Sequence, residues 1–244
     1  MAGLMFVIVS CGQKTEQPVD IYGQWMSMPQ DQWPQITMIN RIDYVDKNFP
    51  VAGCGFLLDS GTDTLAATAK HILMFFKSDS MSGMAFNNSL KQWKMFPKNN
   101  PDDFVILDKL INENAAEPLE DVASAMDWLL FTIKEKSPAI QPLRFRETPL
   151  LEGEPVYIIG WRYSDKDCPQ VIYEGNYVRS EEGSFLITTK ELADNTMPGL
   201  SGSPVIDANG YLLGLMSQKA DEMERPASIE FPRQIISEWR AGKE

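Results

Sequence analysis

The sequence predicts an all-β fold, either a sandwich or a pair of barrels, with one short helix at the C-terminal end. Short β-prone runs recur along the chain, each bounded by turn residues, and helical periodicities are few. With 244 residues and 43% hydrophobic content, the chain can bury a full core.

The elements follow in order. Gly53 to Leu58 reads as a strand, Asp59-Ser60-Gly61-Thr62-Asp63 as a turn, and Thr64 to Ala69 as the returning strand, with His71 at its end. Ser78 to Ala125 is read as hairpins with an insertion: a polar turn region from Pro97 to Asp103, a strand at Phe104 to Leu107, and an acidic loop from Asn112 to Asp121. Asp127 opens the apolar run Trp128 to Ile133. Pro155 to Gly160 is a strand, followed by Val171 to Tyr173 and Phe185 to Thr188. Asn209-Gly210 predicts a type I′ turn between Val205-Ile206 and Tyr211 to Leu213. Pro232 precedes a helix over Gln234 to Trp239 with Ile235, Ile236 and Trp239 on one apolar face.

The chemistry concentrates in Pro198-Gly199-Leu200-Ser201-Gly202-Ser203-Pro204. A reactive serine needs a tight turn of small residues that presents its hydroxyl and aims backbone N–H groups at a substrate carbonyl, and glycines on both sides allow that approach. An ordinary Gly/Ser/Pro turn before a strand is the bland alternative. His71 is the single histidine. Asp127 lies between it and Ser201 in the chain, so the order is His71, Asp127, Ser201.

These three blocks resemble the chymotrypsin-like (trypsin-fold) serine peptidases, in particular bacterial forms related to the HtrA and glutamyl endopeptidase branches. In that family a Gly-x-Gly-Phe strand precedes Thr-Ala-x-His, an Asp-x-x-Leu strand follows, and Gly-x-Ser-Gly-x-Pro carries the nucleophile. The resemblance covers residues 35 to 240 and implies two six-stranded antiparallel barrels with a closing helix. It assigns nucleophile to Ser201, general base to His71 and orienting acid to Asp127, with the N–H groups of Gly199 and Ser201 as the oxyanion hole. It places Asn195 at the base of the primary specificity pocket and Ser217, in Met216-Ser217-Gln218, on one wall. Because Asn195 is neutral, a preference for Lys or Arg through a buried carboxylate is not expected, although Asp194 is its neighbour. The pocket histidine of glutamyl endopeptidases has no counterpart.

The family pattern puts the nucleophile before the glycine, so Ser203 is read as supporting the turn. Asp121 is the other candidate acid, but it lies with Glu117 and Glu120 in what reads as a solvated loop. Leu57 to Thr62 also resembles the loop of retroviral-type aspartic peptidases around Asp59, with Ile158-Ile159-Gly160 as a later partner. That chemistry needs two carboxylates sharing a proton, and the chain has no second Asp-Ser-Gly or Asp-Thr-Gly. A binding protein on a peptidase scaffold without turnover is the remaining alternative.

The apolar, uncharged Met1 to Ser10 leads into Ile8-Val9-Ser10-Cys11, which resembles a bacterial lipoprotein signal with Cys11 as the lipidated residue. Residues 1–34 are therefore expected to be signal and tether, residues 35–244 the catalytic domain, and the location the bacterial cell envelope, anchored, periplasmic or secreted. Cys54 and Cys168 could pair in an oxidising compartment or remain separate thiols. One histidine and three scattered cysteines build no metal site, and no cofactor is expected. The net charge of −12 argues against nucleic acid or an anionic membrane surface as a partner. The substrate that the resemblance implies is a protein or peptide.

Overall fold

The structure is a computed structural model that describes residues 23–120, 122–165, 168–189 and 198–243. Fourteen strands and one α-helix are formed among these residues. The first eight strands are β1 (Thr37–Tyr44), β2 (Asn48–Phe49), β3 (Cys54–Asp59), β4 (Thr64–Thr68), β5 (Leu90–Phe96), β6 (Val105–Leu110), β7 (Leu129–Lys136) and β8 (Leu143–Arg144). Six of them close into an antiparallel barrel in the order β1-β5-β6-β7-β4-β3, and the ring shuts where Met38 of β1 faces Gly55 of β3. β2 extends β1, and β8 adds a two-residue parallel pairing to β3.

The second barrel comprises β9 (Pro155–Gly160), β10 (Val171–Glu181), β11 (Ser184–Thr189), β12 (Pro204–Asp207), β13 (Leu212–Ala220) and β14 (Met223–Ser228). Its order is β10-β11-β14-β13-β12-β9, closed through β9 and β10. The chain is thus all-β, with two six-stranded antiparallel barrels and one short C-terminal helix, α1 (Glu230–Ala241). Closure removes sheet edges from both halves.

The larger apolar cluster fills the first barrel with Phe56, Leu57, Trp93, Met95, Trp128 and Phe131 and continues onto Ile159, Ile206, Leu212 and Leu215 of the second. Val156, Ile158, Tyr173, Phe185, Ile187 and Leu213 form a separate cluster within the second barrel. Ile236 of α1 is buried and Ile235 and Trp239 pack beside it, as the predicted face requires. The helix begins four residues earlier than the periodicity suggests. Pro232 sits in its first turn, where a missing N–H leaves no intrahelical bond unmade.

Two local expectations change. Asn209-Gly210 does turn the β12–β13 hairpin, but not as a type I′ turn, since Asn209 is absent from the positive-φ residues and only Gly210 is left-handed, at φ +82°. The Asp207 carboxylate accepts the N–H groups of Asn209 and Tyr211, and the Asp207 N–H donates to Tyr211 O, which makes a three-residue loop. The acidic insertion is not simply solvated either. Its Glu117 carbonyl accepts the Met84 N–H at 3.0 Å, and its carboxylate pairs with the buried Lys70.

Residues 23–34, assigned from sequence to a tether, pack on the second barrel where described. Trp25 meets Trp33 edge-to-face at 5.0 Å, and Trp33 meets Tyr157 at 6.1 Å. Cys11 lies outside the described residues. No described helix is long and apolar enough to cross a membrane.

Candidate active site

The two barrels meet along a cleft, and each sends different residues into it. β4 ends at Thr68, and the chain then makes a single 3₁₀ turn, Lys70–Met74, that carries His71. Asp127 directly follows a second 3₁₀ turn, Ser124–Met126, and enters β7 two residues later. The antiparallel pairing of β4 with β7 (Thr68 opposite Leu129) brings these two ends together although they are distant in sequence.

Asp127 is 0% exposed, and three donors compensate its burial. Oδ1 accepts the His71 backbone N–H at 2.8 Å, and Oδ2 lies 2.6 Å from His71 Nδ1. Oδ2 also accepts the hydroxyl of Ser217. Because a carboxylate only accepts, the Nδ1 contact places the imidazole proton on Nδ1 and leaves the Nε2 lone pair outward. That Nε2 lies 2.7 Å from Ser201 Oγ. The structure therefore brings His71, Asp127 and Ser201 into one continuous hydrogen-bonded row.

Ser201 is held by its backbone. Its carbonyl accepts the Cys54 N–H at 2.7 Å, the Gly202 N–H donates to Met216 O at 2.8 Å, and the Ser203 N–H donates to Leu200 O at 2.9 Å. Gly199 has φ +112°, and a Cβ there would stand 2.6 Å from Tyr163 N. Gly202 has φ +82°, with the corresponding position 2.2 Å from Cys54 O. Only glycine meets both constraints without moving backbone. Ser203 is fully buried against Gly160, where an added Cβ would lie 2.1 Å from its Oγ, and it turns away from His71.

Sequence reasoning missed the supports beneath this row. Asn40, fully buried in β1, donates through Nδ2 to Ala52 O, Cys54 O and Thr68 Oγ1, and its Oδ1 accepts from Trp93 Nε1 at 2.9 Å. The network braces the strand whose Cys54 N–H holds Ser201. Its only trace in the sequence is one amide between Met38-Ile39 and Arg41-Ile42. Lys70, next to His71, is 1% exposed, pairs with Glu117 and lies 5.5 Å from the Phe231 ring centroid.

Cys54 and Cys168 are both free thiols. Burial pushes the Cys54 thiol above its ordinary range, so it remains a neutral S–H donor, directed at Gly199 O at 3.3 Å. Asp59 lies on the surface hairpin predicted for it. Burial opposes its ionisation, but the Gly61 N–H and the Arg144 guanidinium outweigh that and hold its carboxyl below the usual range. Its ion-pair partner is Arg144 of β8, and no second carboxylate shares its site among the described residues.

A cavity of about 320 Å³ opens beside Gly199 and Gly53, where the apolar Ile39, Val51, Phe76, Trp161 and Tyr163 share the lining with the cations Lys98 and Arg162. The Tyr163 hydroxyl accepts the Gly53 N–H at 3.1 Å. Ser217, expected on a pocket wall, directs its hydroxyl to Asp127. Its neighbour Gln218 reaches Val122 O and Ser124 across the cleft. Asn195, Asp194 and Asp121 lie outside the described residues.

Comparison with known proteins supplies the context. Residues 53–215, a span that includes His71, Asp127 and Ser201, match the family model described as a trypsin-like peptidase domain. Among solved structures, the chain resembles the Rv3671c protease from M. tuberculosis in its active form, with TM-score 0.53 and 14% identity over 84% of this chain and 80% of that one. It also resembles the inactive form of a serine-to-alanine mutant of Rv3671c from M. tuberculosis H37Rv, with TM-score 0.51 and 13% identity over 84% and 88%. At such identities the likeness is one of fold. No curated protein sequence matches.

Proposed function

The chain belongs to the family of trypsin-like peptidase domains, a protease family that acts on proteins or peptides, and from that premise we propose that it is a serine endopeptidase working through His71, Asp127 and Ser201. The observation that carries the reading is the unbroken row from Asp127 Oδ2 through the His71 ring to Ser201 Oγ, with contacts of 2.6 and 2.7 Å.

In the proposed mechanism Ser201 Oγ attacks the scissile carbonyl carbon while its proton passes to His71 Nε2. Asp127 keeps the ring in the accepting tautomer and stabilises the imidazolium. The carbonyl oxygen, now negative, is met by the backbone N–H groups of Gly199 and Ser201. The tetrahedral species collapses to an acyl-enzyme on Ser201, and the imidazolium returns its proton to the leaving amine. Water then enters, gives a proton to Nε2, and releases the acid by the same steps in reverse. The cavity beside Gly199 is proposed to hold part of the substrate, against apolar walls that also carry Lys98 and Arg162.

A fluorophosphonate probe, which reports an activated serine, tests this on wild type, Ser201→Ala and Ser203→Ala. Labelling of wild type and Ser203→Ala but not Ser201→Ala is expected. A correctly folded wild type that takes no label would instead favour a binding protein on this scaffold. The proposed envelope location rests on the motif at Cys11. Incorporation of labelled palmitate into wild type but not Cys11→Ala, in a bacterial host, would support it.

A further inference from the structure

The cavity beside Gly199 carries positive charge that the triad does not use. Lys98, on the turn between β5 and β6, and Arg162, on the segment between β9 and β10, reach it from opposite barrels. The rest of its described lining is aliphatic, aromatic or glycine and holds no carboxylate. Behind the lining, the Lys98 ammonium donates to the Asp165 carbonyl oxygen, and the Arg162 guanidinium pairs with the Asp165 carboxylate at 3.2 Å. Two cations thus stand against one carboxylate, in a chain whose net charge is −12. An ammonium has three donors, so Lys98 holds more than the Asp165 carbonyl takes up. A concave, apolar-walled place of opposite sign to the rest of the molecule concentrates anions.

These cations adjoin the reacting centre. The Arg162 backbone lies against Gly199, where an added Cβ would stand 2.9 Å from Arg162 C, and the following Tyr163 N–H donates to Pro198 O at 2.9 Å. Ser201 itself sits between two walls. On one, Met216 O accepts the Gly202 N–H, and this is the side to which the family resemblance assigns the primary pocket, which holds the side chain before the cleaved bond. On the other, the Cys54 N–H donates to Ser201 O, and Gly53 lines the cavity. A substrate chain that crosses Ser201 therefore leaves over Gly53. Its next two residues span about 7 Å when extended, which carries them into the cavity.

We propose that Lys98 and Arg162 select substrates with a carboxylate on the leaving side of the cleaved bond, within the first two residues after it. The carboxylate belongs to an Asp or Glu side chain or is the C-terminus of the substrate, and either presents two oxygens to the same pair of cations. Asp165 orients Arg162 without cancelling both charges, so one positive charge is left for the substrate. Val51, Phe76 and Tyr163 cover the apolar parts of the same residues.

The inference rests on the serine peptidase reading, so its test separates the two. Amide-capped peptides with Glu, Gln or Lys at the first or second place after the scissile bond are compared with peptides that end at the second place as free acid or as amide. Wild-type kcat/KM should favour Glu over Gln, or the free acid over the amide, by roughly 10- to 100-fold, and the pair that shows the preference names the source of the carboxylate. The ratio should fall to near one when Lys98→Gln and Arg162→Gln are combined, and should turn toward the Lys peptide in Lys98→Glu. Each ratio is taken within one protein, so a general loss of activity does not move it. Calorimetric titration of the same peptides into Ser201→Ala, with and without Lys98→Gln, reads the preference without turnover. Equal values for charged and neutral members of both pairs, or a preference unchanged in the double variant, would overturn the proposal even where Ser201 takes fluorophosphonate. Carboxylate binding that depends on Lys98 in a protein that takes no label would uphold the anion site while refuting turnover.

Discussion

The two barrels hold their shares of the site by different means. In the first, side chains carry the geometry: Asp127 orients His71, Ser217 supports Asp127 from across the cleft, and Asn40 braces the Cys54 strand through four hydrogen bonds. In the second, Ser201 is positioned by backbone groups and by glycines at φ angles that other residues rarely adopt. The base and acid are thus sensitive to loss of a side chain, whereas the nucleophile loop is sensitive to gain of one. The second barrel also keeps a buried carboxyl, Glu224 of β14, whose Oε1 has no hydrogen-bond partner among the described residues, whereas Lys70 is paired with Glu117.

The largest effect should come from the reacting groups, which do not distinguish the barrels. Ser201→Ala and His71→Ala are each expected to lower turnover by ~10⁴ to 10⁶-fold, and the double variant by little more, in steady-state peptide assays. Gly199→Ala tests the backbone-held side. Its Cβ would collide with Tyr163 N and displace the N–H proposed to meet the oxyanion, so kcat should drop by ~10² to 10³ with KM less affected.

On the first-barrel side, Asn40→Ala strands Trp93 Nε1 and buried backbone carbonyls. Urea unfolding should show a loss of about 3 kcal/mol, with activity falling in step if the network positions Cys54. An unchanged urea midpoint would remove Asn40 from the account.

Glu224 predicts a pH effect of opposite sign to that of an ordinary paired carboxylate. Burial pushes its pKa in the folded protein up to about 7 from the ordinary 4.5, so the folded protein binds the extra proton between those values. Its contribution to stability is full below pH 4.5 and is lost as pH rises through 7. Glu224→Gln should therefore gain stability over wild type at pH 8 relative to pH 4, by up to about 3 kcal/mol in thermal or urea denaturation. The smallest expected change is Ser217→Ala, which removes one of three donors to Asp127. A loss of about tenfold in kcat/KM with unchanged stability would show that the contact orients the acid.

The candidate row was legible because each member sits in a local pattern with its own physical reason. The glycines around Ser201 announce a turn that exposes a hydroxyl, and His71 and Asp127 lie where strands begin or end. Asn40, Lys70 and Glu224 were not legible, since each depends on partners or on an absence of partners far along the chain. Nothing in Met223 to Ser228 alone tells that Glu224 points inward, and Lys70 beside His71 reads as a surface cation until Glu117 closes over it. The β12–β13 turn shows the same limit at short range, because the Asp207 carboxylate, not Asn209-Gly210 alone, set the loop length.

The sequence by itself determined the all-β class, the order of base, acid and nucleophile, and the closing helix, since these follow from local periodicity, turn chemistry and short motifs. Only the tertiary structure decided what braces Asp127 and Lys70, and that Glu224 Oε1 is buried without a hydrogen-bond partner among the described residues. Those outcomes depend on strand register across two closed barrels, where a shift of one residue would turn every side chain to the opposite face.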